Sequence, residues 1–161
     1  MLPTAMKTRE IPVSLPHQAL MEADWGDCFE VVVAQPGLSA EHAARRAFET
    51  MPAWTGALMA LRNLLVRPFG IKGDPEAAAK AMRIGMFPIV AQSHGEVVMG
   101  FDDRHLDFRI VVETEPSGDH HTSVRLMTLV RRHNRLGRIY LATIMPFHKL
   151  IVARTLSRLA R

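Results

Sequence analysis

Residues 122–161 read TSVRLMTLVRRHNRLGRIYLATIMPFHKLIVARTLSRLAR, and this stretch decides the fold. Thr122 to Arg132 has the β-branched texture of a strand. Asn134 is placed to cap a helix, because its short side chain can accept from the first free N–H groups. From Arg135 onward apolar residues recur at helical spacing. The spacing sets Leu136, Ile139, Tyr140, Thr143, Phe147, Leu150 and Ile151 on one face, with Arg135, Arg138, Lys149 and Leu156 largely opposite. Pro146 lacks an N–H and is expected to kink or locally break the helix.

Upstream, HLDFRIVVET at 105–114 alternates cleanly. Leu106, Phe108, Ile110 and Val112 take one face and His105, Asp107 and Arg109 the other, the mark of a half-buried antiparallel strand. Residues 87–93 and 96–101 flank His94-Gly95 as a hairpin. Asp27 to Ala34 is a further β-branched strand. Between these, Ser39 caps a helix from Ala40 whose stripe is Ala40, Ala44, Ala47, Phe48 and Met51. A second helix is expected from about Pro52 with Trp54, Leu58, Leu61 and Leu65 in phase, and a short third from Asp74-Pro75 that Gly85 closes. Residues 1–26 read as an irregular, proline-punctuated N-terminal segment and 27–161 as one domain. Met6 is a candidate start. The order is α+β, with an antiparallel sheet wrapped over a long C-terminal helix.

The bulk numbers agree. A chain of 161 residues that is 48% hydrophobic supports one core. Sixteen acids and eleven Lys or Arg lie in residues 1–119, while residues 120–161 carry nine Lys or Arg and no acid. Such an end can meet nucleic acid, anionic lipid or an acidic ligand, but no nucleic-acid motif accompanies it and none is expected to bind. The ten methionines are core filler or the lining of a deformable cavity. A single cysteine, Cys28, excludes an internal disulfide framework and reads as an inert buried thiol. No uncharged apolar run reaches a membrane span, and a cytoplasmic location is expected.

The strings MPAWTGALMALRNLLVRPFGI, GFDDRHLDFRI and LVRRHNRLGRIYLATIMPFHKLIVARTL resemble a bacterial family of unknown function, domain family two-eight-six-seven. The element order resembles the helix-grip fold of the START, polyketide-cyclase and Bet v-like superfamily. The likeness runs from about Cys28 to Leu156 and implies a ligand cavity between sheet and helix. Relatives are sometimes joined to an NAD(P)-binding domain. No GxGxxG follows the first strand here, and no cofactor is expected.

Asp102, Asp103 and His105 have the oxygen and imidazole chemistry of a divalent-metal site, but Asp102 and Asp103 are also good turn residues, so no metal is expected. Asp107 with Arg109, Arg125 or Arg131 reads as a cross-strand charge ladder or a dimer face. His120-His121 is an exposed loop pair. His133, His148 and Tyr140 are the acid–base candidates, each with a structural alternative. Arg62 interrupts the second helix as a pair former or a cavity group. The expected cavity lies between Leu106, Phe108 and Ile110 on the sheet and Tyr140, Phe147 and Ile151 on the helix, with Arg62 a further contact. A small hydrophobic molecule is the expected ligand. An enzyme (a cyclase, dehydratase or hydrolase) and a protein-interaction module are the alternatives.

Overall fold

The computed structural model describes residues 7–49, 82–85, 87–102 and 104–161. The strands are β1 (Arg9–Ile11), β2 (Trp25–Val33), β3 (Arg83–Ile84), β4 (Phe87–Gln92), β5 (Glu96–Asp102), β6 (Leu106–Pro116) and β7 (Thr122–Arg132). They form one seven-stranded sheet in the order β1-β2-β7-β6-β5-β4-β3, antiparallel throughout. Two helices are described, α1 (Ala40–Phe48) and α2 (Arg135–Leu159). The fold is α+β, as the sequence implied. The helices expected near 52–68 and from 75 lie outside the described residues, apart from Gly85. That glycine stands at the β3–β4 turn with φ 59° and closes no helix.

Both helices lie on one face of the sheet. The inward residues of β2 are Phe29, Val31 and Val33. They share a core with Ile110 and Val112 of β6, Val124 and Leu126 of β7, the alanines of α1, and Val152, Leu156 and Leu159 of α2. Ser39 caps α1 as expected, its Oγ accepting from the N–H of His42. The other face is covered by the N-terminal segment. Val13, Ala19, Leu20 and Ala23 pack on Val98, Val111 and Leu129. The segment read as irregular therefore supplies the edge strand β1 and a cover for the outer face.

Cations of β7 fasten that cover. Arg131 pairs with Glu22 and Arg132 with Asp24. A ladder runs across the outer face through Arg9, Glu30, Arg125 and Glu115. The acid-free end of the chain is thus partly neutralised by acids from the rest. Burial alone would push the Glu30 carboxyl up. The hydrogen bonds from Ser123, Arg9 and Arg125 outweigh it and hold Glu30 below the ordinary carboxylate range.

Helix α2 is seated by a close contact at its start. Asn134 Oδ1 accepts from the N–H of Gly137, and its Nδ2 donates to Nδ1 of His105 at 3.0 Å. A Cβ on Gly137 would stand 2.1 Å from the His105 carbonyl oxygen, so the helix approaches β6 more closely than any side chain permits. The helix continues through Pro146 and is not broken there.

The buried side of α2 differs from the expected one. Gly137, Leu141, Val152, Thr155, Leu156 and Leu159 are buried, whereas Leu136, Ile139, Phe147 and Leu150 are exposed. Leu156, expected on the opposite side, is fully buried. The helix is long and apolar enough, by length and composition, to cross a membrane. One side of it nevertheless packs on the sheet.

The Glu30 ladder gives a pH signature. A carboxyl held low contributes stability that is full above the ordinary carboxylate range, near pH 4.3 or roughly so, and is lost as pH falls through its depressed value. Acid titration of Tm should fall more steeply for the native chain than for Glu30→Gln; parallel curves would contradict the ladder's role.

Candidate functional site

Strand parity carries an acid into the helix-facing side of the sheet. Asp27 shares its face with Phe29, Val31 and Val33, and its side chain is only 4% exposed. A bare carboxylate there would be costly, and α2 supplies its partner. His148 Nε2 stands 3.1 Å from Asp27 Oδ2 and 3.3 Å from Oδ1. The Trp25 ring meets the imidazole edge-on, with centroids 6.0 Å apart at 75°. With Nε2–H donating to the carboxylate, a neutral ring has Nδ1 as an acceptor. Nδ1 has no hydrogen-bond partner among the described residues.

Directly across from Asp27, in register on β7, is Thr128, which in turn faces Ile110 of β6. Opposed residues bring their Cβ atoms to about 5 Å. Thr128 is 8% exposed, and its Oγ1 is buried without a hydrogen-bond partner. Two apolar clusters flank this polar row. One holds Leu106, Val130 and Leu141, with Phe108, Tyr140, Ile144 and Met145 packed on it. The other holds Val152, Leu156 and the main core. A carboxylate, an imidazole acceptor and an unsatisfied hydroxyl therefore stand in an apolar band under α2.

The structure brings together some of the residues expected to line a cavity and separates others. Leu106, Phe108 and Tyr140 meet in one cluster, and Ile110 joins the main core. Ile151 is half-buried. Phe147 points away from the sheet and cannot line a sheet–helix interior. Arg62 lies outside the described residues.

Of the acid–base candidates, His148 is in the interior. His133 instead pairs with Asp107, Nε2 to Oδ1 at 2.9 Å, and Asp107 alternates onto the outer face. Asp107 thus pairs with a histidine. Asp102 Oδ1 accepts from Arg109, His105 contacts Asn134, and Asp103 lies outside the described residues. No group of three His, Cys, Asp or Glu able to hold a metal occurs among the described residues.

Cys28 is buried, and its thiol is pushed up to about 12, by burial first and then by the nearby Glu113 carboxylate, so it is no nucleophile at neutral pH. A polar depression lined by Ser39, Glu41, Gln92, Ser93 and His94 sits at the start of α1 against the β4–β5 hairpin, away from the β2–α2 contact.

No motif in the sequence points to Asp27, Thr128 or Trp25. The signal for Asp27 was present: it falls on the same parity as Phe29, Val31 and Val33, so an apolar strand face carries one acid.

An orphaned hydroxyl costs stability, because its lost hydration is not replaced. Thr128→Val keeps the shape and removes that group. In ligand-free protein the variant should be more stable by about 1 kcal/mol, a rise in Tm of roughly 2–4 °C. A fall in Tm would show that the hydroxyl has a protein partner.

The family described as a protein of unknown function, DUF2867, matches residues 19–155. No curated protein matches the chain, and no solved structure does. The match spans β2 through β7, α1 and nearly all of α2, and so contains Asp27, Thr128 and His148. On that match the chain belongs to the DUF2867 family.

Proposed function

We propose that the protein binds a small, largely apolar molecule between sheet and helix, in a helix-grip arrangement, and that Asp27, Thr128 and His148 form its polar anchor. One observation carries this reading. A buried hydroxyl without a partner and an imidazole nitrogen free to accept flank a buried carboxylate, with apolar clusters on both sides. Binding sites for small molecules combine mostly apolar walls with a few placed polar groups. A ligand hydroxyl or comparable donor would satisfy Nδ1 of His148 and accept from Thr128. The apolar walls would come from Leu141, Phe108 and Tyr140 on one side and Val152 on the other.

A second reading has its own support. Asp27 fixes the ring orientation and tautomer of His148, which is how a carboxylate prepares a histidine to take up a proton. On this reading the same site is a proton-transfer centre acting on a hydrophobic substrate, in the manner of a cyclase, dehydratase or hydrolase.

Native mass spectrometry of freshly purified protein, followed by denaturing extraction, tests the binding reading. The expected result is a retained small molecule of fixed mass that is lost in His148→Ala. Retention of that molecule by His148→Ala would contradict the anchor. A bare protein mass, together with no Tm response to a panel of apolar hydroxylated compounds, would contradict binding itself. If the compounds are turned over, abolished turnover in a folded His148→Ala would favour the proton-transfer reading.

A further inference from the structure

Helix α2 is apolar on two sides. Its inner side packs on the sheet through Leu141, Val152, Leu156 and Leu159. Its outer side carries Leu136, Ile139, Phe147 and Leu150, exposed by 39%, 63%, 51% and 45%. These are four of the eight large apolar side chains exposed among the described residues, and they gather on one ridge. Fourteen residues at about 1.5 Å each give a ridge roughly 21 Å long. A helix apolar on opposite faces has a second apolar environment to meet, since exposed ridges of this kind mark interaction surfaces.

The charge around the ridge selects the occupant. Arg135, the first residue of the helix, stands at one end, about a quarter-turn off the ridge, and Arg154 stands in line with it at the other, both exposed. Among the described residues neither guanidinium has an ion-pair or hydrogen-bond partner. No acid occurs anywhere on the helix. A second copy laid ridge to ridge would set these arginines against their own equivalents, with no carboxylate on the helix to neutralise them. An anionic surface neutralises them directly. The helix is held to the sheet by the buried His148–Asp27 contact, so it can lie on a bilayer while remaining docked.

We infer that the outer ridge of α2 docks the protein on anionic phospholipid bilayers. Leu136, Ile139, Phe147 and Leu150 enter the boundary between headgroups and acyl chains, and Arg135 and Arg154 meet the phosphates. This inference is independent of the interior site.

Vesicle flotation with the full chain tests it. Vesicles of phosphatidylcholine mixed with phosphatidylglycerol should carry the protein, and vesicles of phosphatidylcholine alone should not. Binding should weaken as salt rises. The paired substitution Ile139→Glu with Phe147→Glu should abolish binding, and Arg135→Gln or Arg154→Gln should each weaken it roughly five-fold. Both arginines are exposed, so these variants read the surface even if the paired variant fails to fold. Equal binding to the two vesicle types, binding to neither, or unchanged binding in the arginine variants would overturn the proposal. A concentration-dependent dimer abolished by Phe147→Glu would assign the ridge to a second copy and would also overturn it.

Discussion

The position of the C-terminal helix depends on a carboxylate that cannot be left alone. Asp27 is carried to the apolar face of the sheet by strand parity, and only His148 of α2 meets it among the described hydrogen bonds and ion pairs. Removing either partner would leave a buried polar group without compensation. The contact therefore sets the rotation of the helix as well as its distance. Fourteen residues earlier, Asn134 and Gly137 fix the same helix against His105. Two fixed points about 21 Å apart, at about 1.5 Å per residue, leave α2 little freedom to roll.

This explains why the sheet was legible in the sequence and the helix face was not. In β6, alternation distinguishes one apolar face from one polar face, and the expected inward set of Leu106, Phe108, Ile110 and Val112 is the observed one. In α2 both sides are apolar, so periodicity yields two stripes of similar strength. The stripe through Leu136, Ile139, Phe147 and Leu150 contains the larger residues. The buried stripe contains Gly137, His148 and Thr155. Side-chain size is a poor guide here, because the seat of the helix is decided by a glycine that permits close approach and a histidine that answers an acid. The short edge strands β1 and β3 lacked any sequence signal for a different reason. Two or three residues are too few to show a period.

The same physics redistributes the residues that first looked chemical. Asp107 and His133 pair with each other, while His105 joins the cap of α2. His105 and Asp107 of the DDRHLDFR string therefore meet Asn134 and His133 of the RRHN string in a structural joint between strand and helix. His148, in the same long string, is the residue that the structure moves inward. Its partner Asp27 lies 121 residues away in sequence, and the β2–β7 register sets Thr128 across from that acid. A site assembled across strands from single residues leaves no local motif to find.

The central claim is that the polar row beneath α2 is kept for a ligand and is not a leftover of packing. A crystal structure of freshly purified protein tests this most directly. The account predicts ordered non-protein density within hydrogen-bond reach of both Thr128 Oγ1 and His148 Nδ1, bounded by Leu141 and Val152. If Thr128 Oγ1 is instead bonded to a protein group, and packed side chains close the space beside His148, the claim is contradicted.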